Sequence, residues 1–412
     1  MTFLAFVESN MTGTGMQALR LAHERGLRIA FLTSDLAKYN TDPDAARTIS
    51  DLADEIVECD TQNPDVMAKA LRALPGTVGG VMTVMEYFVP VTAATARRLG
   101  LPGLDPAAAD IARDKGRCRV VCREAGVPVP GFRFVDSAAL LDEVLDEIGV
   151  PCVIKPVDES ASIGVTLCHS REQAHTRMTE LVASRTNSKG QPRVPGGLVE
   201  ECLFGHEVSV ETFTADGRTV VLGVTDKLLG PVPYFIELGH TFPSGLPKQV
   251  REAAVDVALA ALNAIGFDFG PAHTEVKLTD RGPVLIEVNA RAGGDFVPDL
   301  VRHATGVSLL DQTIVAATGN RPELAPTSQG GAAIRFLAGR SGTVAALPDT
   351  AVLARFPEVV ASRIKAVPGQ RTTHPRNSHE RLGYVITSAD SAHQAAVAAD
   401  AAVAQLALTY EP

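Results

Sequence analysis

The chain has 412 residues, 45% of them hydrophobic and 21% charged, with a formal net charge of −10 at pH 7. That length predicts two to four packed units, and the acidic balance argues against a nucleic-acid partner because no basic block offsets it. No apolar run is long enough to span a bilayer, no signal peptide is evident and the six cysteines form no CxxC pair, so we expect a reduced, cytoplasmic chain.

The first part of the chain alternates short apolar runs with helical stretches. The runs lie at residues 3–7, 28–33, 55–57 and 78–84. Such alternation is typical of parallel strands joined by helices. We therefore predict an N-terminal αβ domain over residues 1–108, within an overall α/β fold.

A glycine-rich turn follows the first run. The segment Gly13-Thr-Gly15-Met-Gln-Ala18 fits the dinucleotide-binding pattern, and Asp35 lies about the right distance further on. An NAD(P)-dependent oxidoreductase is therefore one alternative. Short glycine patterns also recur by chance, and this alternative leaves an acidic motif later in the chain unexplained.

The second part, residues 109–197, begins with a helix predicted around 110–125. A strand follows at 150–157. The polar stretch 185–197 contains Gly and Pro and predicts a mobile loop. Together these features predict a small lobe preceded by a linker helix.

The third part, residues 198–322, is dominated by β-branched and apolar residues that favour antiparallel strands around one clear helix at 250–265. Two strands, 274–278 and 284–288, bracket a short turn and predict a hairpin. Short strands and a final Ala-rich helix follow over 323–412. We therefore predict a large lobe of mixed α+β structure and then a C-terminal lobe.

The strongest chemical signal lies on that hairpin. Glu287 and Asn289 share a face if they lie on a strand, and Glu275 on the partner strand can come alongside. Two carboxylates and an amide oxygen form a hard-oxygen set that suits Mg²⁺. Arg291 shares this face if the strand continues, and would place a cation near a transferring phosphoryl group. A charged surface hairpin is the alternative interpretation.

A lysine and a small-residue loop form the second signal. Lys155 ends an apolar strand, where a core does not explain it, and it can neutralise phosphate oxygens. Ser160, Ser162 and Gly164 follow in a loop whose amides and hydroxyls could close over phosphates. Lys115 could supply another phosphate cation, although a solvated lysine is the simpler interpretation of that residue alone.

Paired glutamates form the third signal. Glu200 and Glu201 precede Leu203, and Glu207 lies a few residues further on. A segment that joins two lobes can bind adenine through its backbone, and a following carboxylate can receive the ribose hydroxyls. Ordinary surface charge is the alternative.

These three signals, in this order and at this spacing, resemble the ATP-grasp family over roughly residues 110–320. The resemblance implies a two-lobed ATP-grasp fold and ATP as the cofactor. It implies that Lys115 and Lys155 bind the phosphates and that the 160–164 loop is a lid. This loop has one glycine, Gly164, where the family has several.

The same resemblance implies roles for the remaining residues of the motifs. The matching positions are Glu200, Glu201 and Leu203 for the adenine hinge, Glu207 for the ribose, Glu275, Glu287 and Asn289 for Mg²⁺, and Arg291 for the acyl phosphate. Two magnesium ions, or Mn²⁺ in their place, are compatible with such a ligand set.

Within the superfamily, the chain most resembles the L-amino acid ligases that make dipeptides. The segment 237–244 resembles a substrate-side segment of that subgroup, 291–295 resembles its extended metal strand, and the C-terminal lobe resembles its extra domain. The resemblance implies a ligase that activates a carboxylate as an acyl phosphate, joins it to an amine and releases ADP and phosphate.

Four residues are expected on the substrate side. His240 would orient a carboxylate or take a proton from the amine, and Ser244, His273 and Asp295 would contact substrate. A structural histidine and, for Asp295, a helix cap are the alternatives.

The expected partners are small-molecule carboxylates and amines, amino acids among them, and a second copy of the chain in a homodimer. A ligase with a non-amino-acid or intramolecular acceptor is one alternative. A non-catalytic ATP-binding regulator is another.

Overall fold

The computed structural model describes residues 2–11, 13–230 and 233–411 and confirms the α/β fold. Among these residues, no helix has the length and apolar character needed to cross a membrane. These described residues form four sheets.

The N-terminal part is a four-stranded parallel sheet between two layers of helices. Its elements are β1 (Thr2–Val7), α1 (Thr14–Glu24), β2 (Arg28–Thr33), α2 (Pro43–Leu52), β3 (Glu55–Glu58), α3 (Pro64–Arg72), β4 (Thr77–Met82) and α4 (Val89–Leu99). The strand order is β3-β2-β1-β4. Successive side chains of β1 pack into separate cores on the two faces, which explains why its sequence is continuously apolar.

The linker contains two helices where the sequence predicted one. They are α5 (Pro106–Arg113) and α6 (Lys115–Glu124). Asp114 separates them because its backbone is extended and its side chain accepts a hydrogen bond from the amide of Arg117. An N-cap of this kind starts a new helix and ends the preceding one. Lys115 is therefore the first residue of α6.

The small sheet is antiparallel, and two helices pack against it. Its elements are β5 (Phe132–Val135), α7 (Leu141–Ile148), β6 (Cys152–Lys155), β7 (Thr166–Cys168), α8 (Arg171–Ala183) and β8 (Gly197–Glu201). The strand order is β5-β8-β6-β7. The segment 185–196 lies outside the helices and strands but contains an isolated bridge between Thr186 and Pro192. Its mobility stays a prediction.

The large sheet has eight antiparallel strands. Its first part contains β9 (His206–Ala215), β10 (Arg218–Leu229), β11 (Glu237–Phe242), α9 (Lys248–Ala264), β12 (Gly270–Thr279), β13 (Gly282–Asn289), α10 (Val297–Thr305) and α11 (Leu309–Ala317). The hairpin β12–β13 is the predicted one, with longer strands. Helix α9 buries its apolar face against this hairpin and α6 in one core.

The last part of the chain continues the same sheet. It contains β14 (Gly331–Leu337), β15 (Gly342–Ala346), β16 (Val359–Ile364), β17 (Arg371–Thr372), β18 (Gly383–Ala389), α12 (Ala392–Ala404) and β19 (Thr409–Tyr410). The large sheet runs β13-β12-β9-β10-β11-β14-β18-β16, and β17-β15-β19 form a separate small sheet. Strand β14 pairs with β11, so the sheet crosses the boundary predicted at residue 322. The division into four units stays a prediction.

Candidate active site

A cavity of about 720 Å³ lies between the parallel sheet, the small sheet and the large sheet. It gathers most of the side chains singled out in the sequence. Those that line it are Lys115, Lys155, Ser160, Ser162, Glu200, Glu201, Leu203, Glu207, His240, His273, Glu275, Glu287, Asn289, Arg291 and Asp295. Gly164 and Ser244 are not part of the lining.

The hairpin presents its carboxylates side by side. In the register of β12 and β13, Glu275 lies opposite Glu287 and His273 lies opposite Asn289. Lys115 Nζ lies 2.8 Å from Glu287 Oε1. No three His, Cys, Asp or Glu side chains within the described ranges form a group that could hold a metal ion. The predicted metal site thus depends on two carboxylates, one amide and groups supplied by a ligand.

The two carboxylates are in different electrostatic states. Burial raises the pKa of Glu287, and Glu86 and Glu275 raise it further, while Lys115 only partly offsets them. Burial also acts on Glu275, but Lys227 and His273 hold the pKa of that carboxyl well below its usual range. The charged form of Glu287 is thus less stabilised than that of Glu275, and a divalent cation beside Glu287 would favour its charged form.

A buried charged triad lies under the predicted adenine hinge. Glu200 accepts from Arg119 Nε at 2.8 Å and lies 2.6 Å from Lys155 Nζ. Burial lowers the pKa of Lys155, whereas the two cations hold the pKa of Glu200 below its usual value despite burial. The Glu200 carboxylate is thus already bound by two cations. Glu201 is more exposed and pairs with Arg281 at 2.5 Å.

Glu207 is held by lysines from both neighbouring strands. Lys227 Nζ lies 2.7 Å from its Oε1 and Lys277 Nζ lies 3.1 Å from its Oε2. Lys227 also lies 2.9 Å from Glu275, so one buried ammonium joins the predicted ribose contact to the predicted metal ligand. The two carboxylates and the two ammonium groups therefore form one continuous network.

Arg291 lies beyond the end of β13 and is oriented by the N-terminal part of the chain. Its Nη2 lies 3.0 Å from Oε2 of Glu86, which begins a short 3₁₀ helix, Glu86–Phe88. Arg113 lies 3.3 Å from the other oxygen of Glu86. Burial would raise the pKa of Glu86, but Arg291 and Arg113 hold it below its usual value. Glu86 is therefore a charged acceptor that fixes the direction of Arg291.

The 160–164 loop has a strained backbone and contacts three parts of the chain. Ala161 and Ser162 have φ values of 56° and 57°, in the left-handed region that non-glycine residues rarely adopt. The amide of Ser160 donates to Tyr87, the Ser162 hydroxyl donates to the Phe235 carbonyl, and the Ala161 carbonyl accepts from the amide of Ser378. Ser160 and Ser162 line the cavity, so the loop forms part of its wall.

The substrate-side residues are divided between the cavity and its surroundings. Asp295 accepts from both Nη atoms of Arg381, at 2.6 Å for Nη1, and lies 3.4 Å from His240 Nε2. Burial opposes the charge of Asp295, yet Arg381 and His240 hold its pKa well below its usual range. Asp295 makes no capping bond to α10. Ser244 instead donates to Asp226 at 2.7 Å, outside the lining.

Two histidines differ in their surroundings. Nδ1 of His273 lies 3.0 Å from both oxygens of Glu211. Burial alone would lower the pKa of His273, but Glu211 and Glu275 raise it to about 9. Nδ1 of His240 is buried and has no hydrogen-bond partner among the residues that the structure describes. His240 therefore has a polar atom left for a ligand or for water.

Sequence reasoning missed several charged residues of the cavity. Lys227 and Lys277 lie on apolar, β-branched strands and carry the signal that singled out Lys155, so they could have been found. Glu86 and Arg381 do not lie beside any of the sequence motifs described above. Their importance becomes visible only through their partners, which lie 205 and 86 residues away in the chain.

Comparison with protein-family models gives three matches along the chain. An ATP-grasp N-terminal domain matches residues 19–103, an ATP-grasp domain matches 148–299, and an L-amino acid ligase C-terminal domain 2 matches 335–411.

Several curated proteins are similar in sequence. An uncharacterized protein, y4rH of Sinorhizobium fredii, is 32% identical over 391 residues, which is 94% of this chain and 79% of that protein. Alanine–anticapsin ligase of Bacillus subtilis (strain 168) is 32% identical over 53% of this chain and 50% of its own length. Human carnosine synthase 1 is 27% identical over 64% of this chain. The match covers 34% of the carnosine synthase, so the chain spans about a third to a half of these two enzymes.

A solved structure shares the whole fold. The L-amino acid ligase from Bacillus licheniformis superposes with a TM-score of 0.81 at 23% identity, covering 100% of this chain and 99% of that one. A phosphoribosylglycinamide synthetase from Anaerococcus prevotii has a TM-score of 0.73 at 17% identity, covering 100% and 99%. At these identities the likeness establishes the fold.

Proposed function

The chain belongs to the ATP-grasp ligases, which form C–N bonds, and we propose that it joins a carboxylate to the amine of an amino acid through an acyl phosphate. ADP and phosphate would be the other products. The observation that carries the proposal is the hairpin: Glu275, Glu287 and Asn289 face the same cavity as Lys115 and Arg291.

The donor set fits Mg²⁺ as the metal that accompanies ATP. Glu275 and Glu287 lie opposite each other, and Asn289 follows on the same strand face as Glu287. These are hard oxygen donors. Because the protein supplies only these three ligands in the proposed site, coordination positions are left for phosphate oxygens and water. When bound, Mg²⁺ neutralises charge that develops on the transferring phosphoryl group. Occupation by two ions, or by Mn²⁺, is part of the proposal.

The protein's own cations would stabilise the rest of that charge. Lys115 and Lys155 are buried and line the cavity, so they can contact phosphate oxygens without water screening. Arg291, fixed by Glu86, would face the acyl phosphate and the tetrahedral intermediate that the amine forms. Ser160, Ser162 and Gly164 belong to the loop that would exclude water from the acyl phosphate.

Adenosine would bind between the small and large sheets. We propose that the Glu200–Leu203 segment holds adenine through its backbone, since the Glu200 side chain is already bound by Arg119 and Lys155. Glu201 would contribute at the edge. Glu207, presented by Lys227 and Lys277, would receive the ribose hydroxyls.

The amino-acid substrate would lie between the large sheet and the C-terminal part. His240 has a buried, unpartnered Nδ1 within the described ranges and would orient the substrate or accept its proton. His273 is charged near neutral pH and Asp295 is bound to Arg381, so both would act through fixed charges. Ser244 would act only indirectly, through Asp226. The similarity to alanine–anticapsin ligase and carnosine synthase supports amino acids as substrates. The homodimer and the cytoplasmic location stay predictions.

The test is amino-acid-dependent release of ADP and phosphate. Single amino acids and pairs are screened with Mg-ATP, alongside a Glu287→Gln variant and the matched surface variant Glu252→Gln. Release that needs two substrates, survives in Glu252→Gln and vanishes in Glu287→Gln is the expected result. AMP with pyrophosphate would overturn the acyl-phosphate mechanism. Stabilisation by NAD(P)H and not by Mg-ATP would instead support the oxidoreductase alternative.

A further inference from the structure

One wall of the cavity carries basic side chains that the proposed reaction does not use. Arg363 is the penultimate residue of β16, Lys365 directly follows that strand, and His379 lies in a short 3₁₀ helix, Ser378–Glu380. Lys189 reaches the same cavity from the 185–196 segment. We call these four residues the basic cluster. Three of them belong to the C-terminal part of the chain, which therefore supplies most of the basic cluster.

In the part of the chain that the structure describes, the lysines and the arginine of the basic cluster are not ion-paired with carboxylates. Among the described residues, Lys189, Arg363 and Lys365 form no ion pair with Asp or Glu. The neighbouring Arg381, in contrast, is ion-paired with Asp295. Lys115 and Lys155, the proposed phosphate contacts, each have a glutamate partner. The positive charge of the basic cluster is therefore left for something that enters the cavity.

Neighbouring cations lower the pKa values of two residues of the basic cluster. Burial lowers the pKa of Lys365, and Arg381 and Arg363 lower it further. Burial lowers the pKa of His379, with added repulsion from Lys189 and Arg381. Asp295 is the one anion that opposes these shifts in both groups, and it is already bound by Arg381. An incoming anion would remove this repulsion.

The N-terminal part lines the cavity with charges of both signs. Arg20 and Arg47 line it from α1 and α2, and Asp42 and Asp44 line it as well. This part of the lining therefore has cations accompanied by carboxylates, unlike the C-terminal wall. Phe336 lies under Arg381 there, with the guanidinium carbon 3.6 Å from the ring centroid, which keeps that side chain from turning into the space.

We propose that the basic cluster binds a carboxylate that takes no part in the reaction, and that the amino acid bound there is a dicarboxylic one such as glutamate or aspartate. This inference rests on the proposed function, because it names the class of one substrate. A neutral amino acid brings one carboxylate to a wall where, among the described residues, three cations form no ion pair with Asp or Glu, whereas a dicarboxylic one brings two. The additional charge-assisted hydrogen bonds favour the acidic substrate.

The test compares acidic amino acids with their neutral isosteres. L-Glutamate and L-glutamine, and L-aspartate and L-asparagine, are titrated calorimetrically into the protein with Mg-ADP present, and the same four compounds are assayed for ADP release from Mg-ATP. The double variant Arg363→Met/Lys365→Met is compared with Arg371→Met/Lys248→Met, which removes two exposed cations outside the cavity lining.

The acidic member of a pair should bind at least about tenfold more tightly than its amide. The cavity double variant should bring that ratio close to one and leave the KM for ATP within about twofold of wild type, while the control double variant changes neither. Equal affinities for acid and amide in wild type would overturn the inference. So would a cavity variant that keeps the ratio but raises the KM for ATP, since the cluster would then serve the nucleotide.

Failure of the inference and failure of the proposed function give different results. ADP release with neutral amino acids and no preference for acidic ones would leave the ligase standing and remove the basic cluster's role. A preference for glutamate in calorimetry, lost in the cavity variant but unaccompanied by ADP release with any amine, would establish the binding site and count against the ligase.

Discussion

Glu275 and Glu287 lie directly opposite each other on adjacent antiparallel strands, and each pairs with a different lysine. Lys227 lies 2.9 Å from Glu275 and Lys115 lies 2.8 Å from Glu287. Like charges at facing positions of a sheet destabilise it. The chain tolerates this pair because each carboxylate lies next to a different buried lysine, of which Lys227 is shared with Glu207, and because the pair faces a cavity where a divalent cation can bind.

Glu287→Gln should remove most of the turnover while the protein still folds. The substitution keeps the shape of the side chain and removes the like-charge contact with Glu275, but it also leaves the buried Lys115 without its carboxylate partner, so the free energy of unfolding should fall. Loss of one metal ligand should lower kcat by about 10²-fold or more. ADP release and thermal unfolding with and without Mg-ATP are the measurements. A variant with wild-type turnover would refute the metal assignment, and Glu252→Gln, on the exposed side of α9, is the matched control.

Substitutions of the two cations that bind Glu200 should affect protein stability and ATP binding differently. Arg119→Met leaves the buried Glu200 with one cation instead of two, and should lower the free energy of unfolding by about 3–5 kcal/mol. Lys155→Met removes a cation that faces the cavity, and should raise the KM for ATP by about tenfold or more.

Denaturant titration and ATP kinetics distinguish these two effects. Arg117→Met, an exposed change on the same helix as Arg119, should leave both quantities unchanged. An Lys155→Met variant that unfolds as readily as Arg119→Met but binds ATP normally would show that Lys155 is structural.

Glu86→Gln tests whether the N-terminal part positions Arg291. The amide can still accept one hydrogen bond, but it no longer holds the guanidinium by charge, so kcat should fall by roughly 10–100-fold while the KM for ATP changes little. Steady-state kinetics with saturating amino acids measure this split. Glu124→Gln, exposed at the end of α6, should be silent. If the fall in kcat were accompanied by a fall in thermal stability large enough to explain it, the role of Glu86 would be purely structural.

Asp295→Asn should raise the apparent KM for the amino acid and leave the KM for ATP unchanged. The reason is indirect: Asp295 fixes Arg381 and His240 at the substrate wall. A double-mutant cycle with Arg381→Met should show a coupling energy of about 1–3 kcal/mol in stability, because the two groups share a buried ion pair. If the KM for the amino acid were unchanged while the predicted coupling energy was measured, the Asp295–Arg381 ion pair would have only a structural role.

The N-terminal part should lose stability in acid through Glu8. This buried carboxylate accepts from Lys38 at 2.5 Å, Tyr39 at 2.8 Å and Thr61 at 2.8 Å. Burial would raise the pKa of Glu8, but the hydrogen bonds from Lys38 and from the Ser34 amide hold it below 4.5. Its contribution to stability is therefore fully present above pH 4.5 and is lost as the pH falls through the lower folded-state pKa.

Glu8→Gln should lower the free energy of unfolding at pH 7 by about 3 kcal/mol, since it leaves Lys38 without its partner. The variant should also unfold with a weaker dependence on pH in the acidic range. Denaturant titrations at several pH values measure both effects, with the exposed Glu24→Gln as the control. An unchanged acid dependence would assign the acid sensitivity of this part to other carboxylates.

The sequence by itself determined the family resemblance and the hairpin that carries Glu275, Glu287 and Asn289. These features are local: side chains alternate along a strand, and a short turn brings two strands together in one register. The α/β fold was confirmed for the same reason, because alternating apolar runs and helical stretches leave few arrangements. One linker helix was predicted where two exist, since the capping geometry of Asp114 depends on a single side-chain hydrogen bond.

Only the tertiary structure decided which charges meet. Glu86 and Arg291 are 205 residues apart, and Asp295 and Arg381 are 86 apart, so no local pattern relates them. Lys115 and Glu287 come together because α6 and β13 pack in one core. Ion pairing in a cavity depends on distances of a few ångströms and on the exclusion of water, and both arise only when separate elements pack. The sequence therefore supplied the reactive groups, and packing decided their partners.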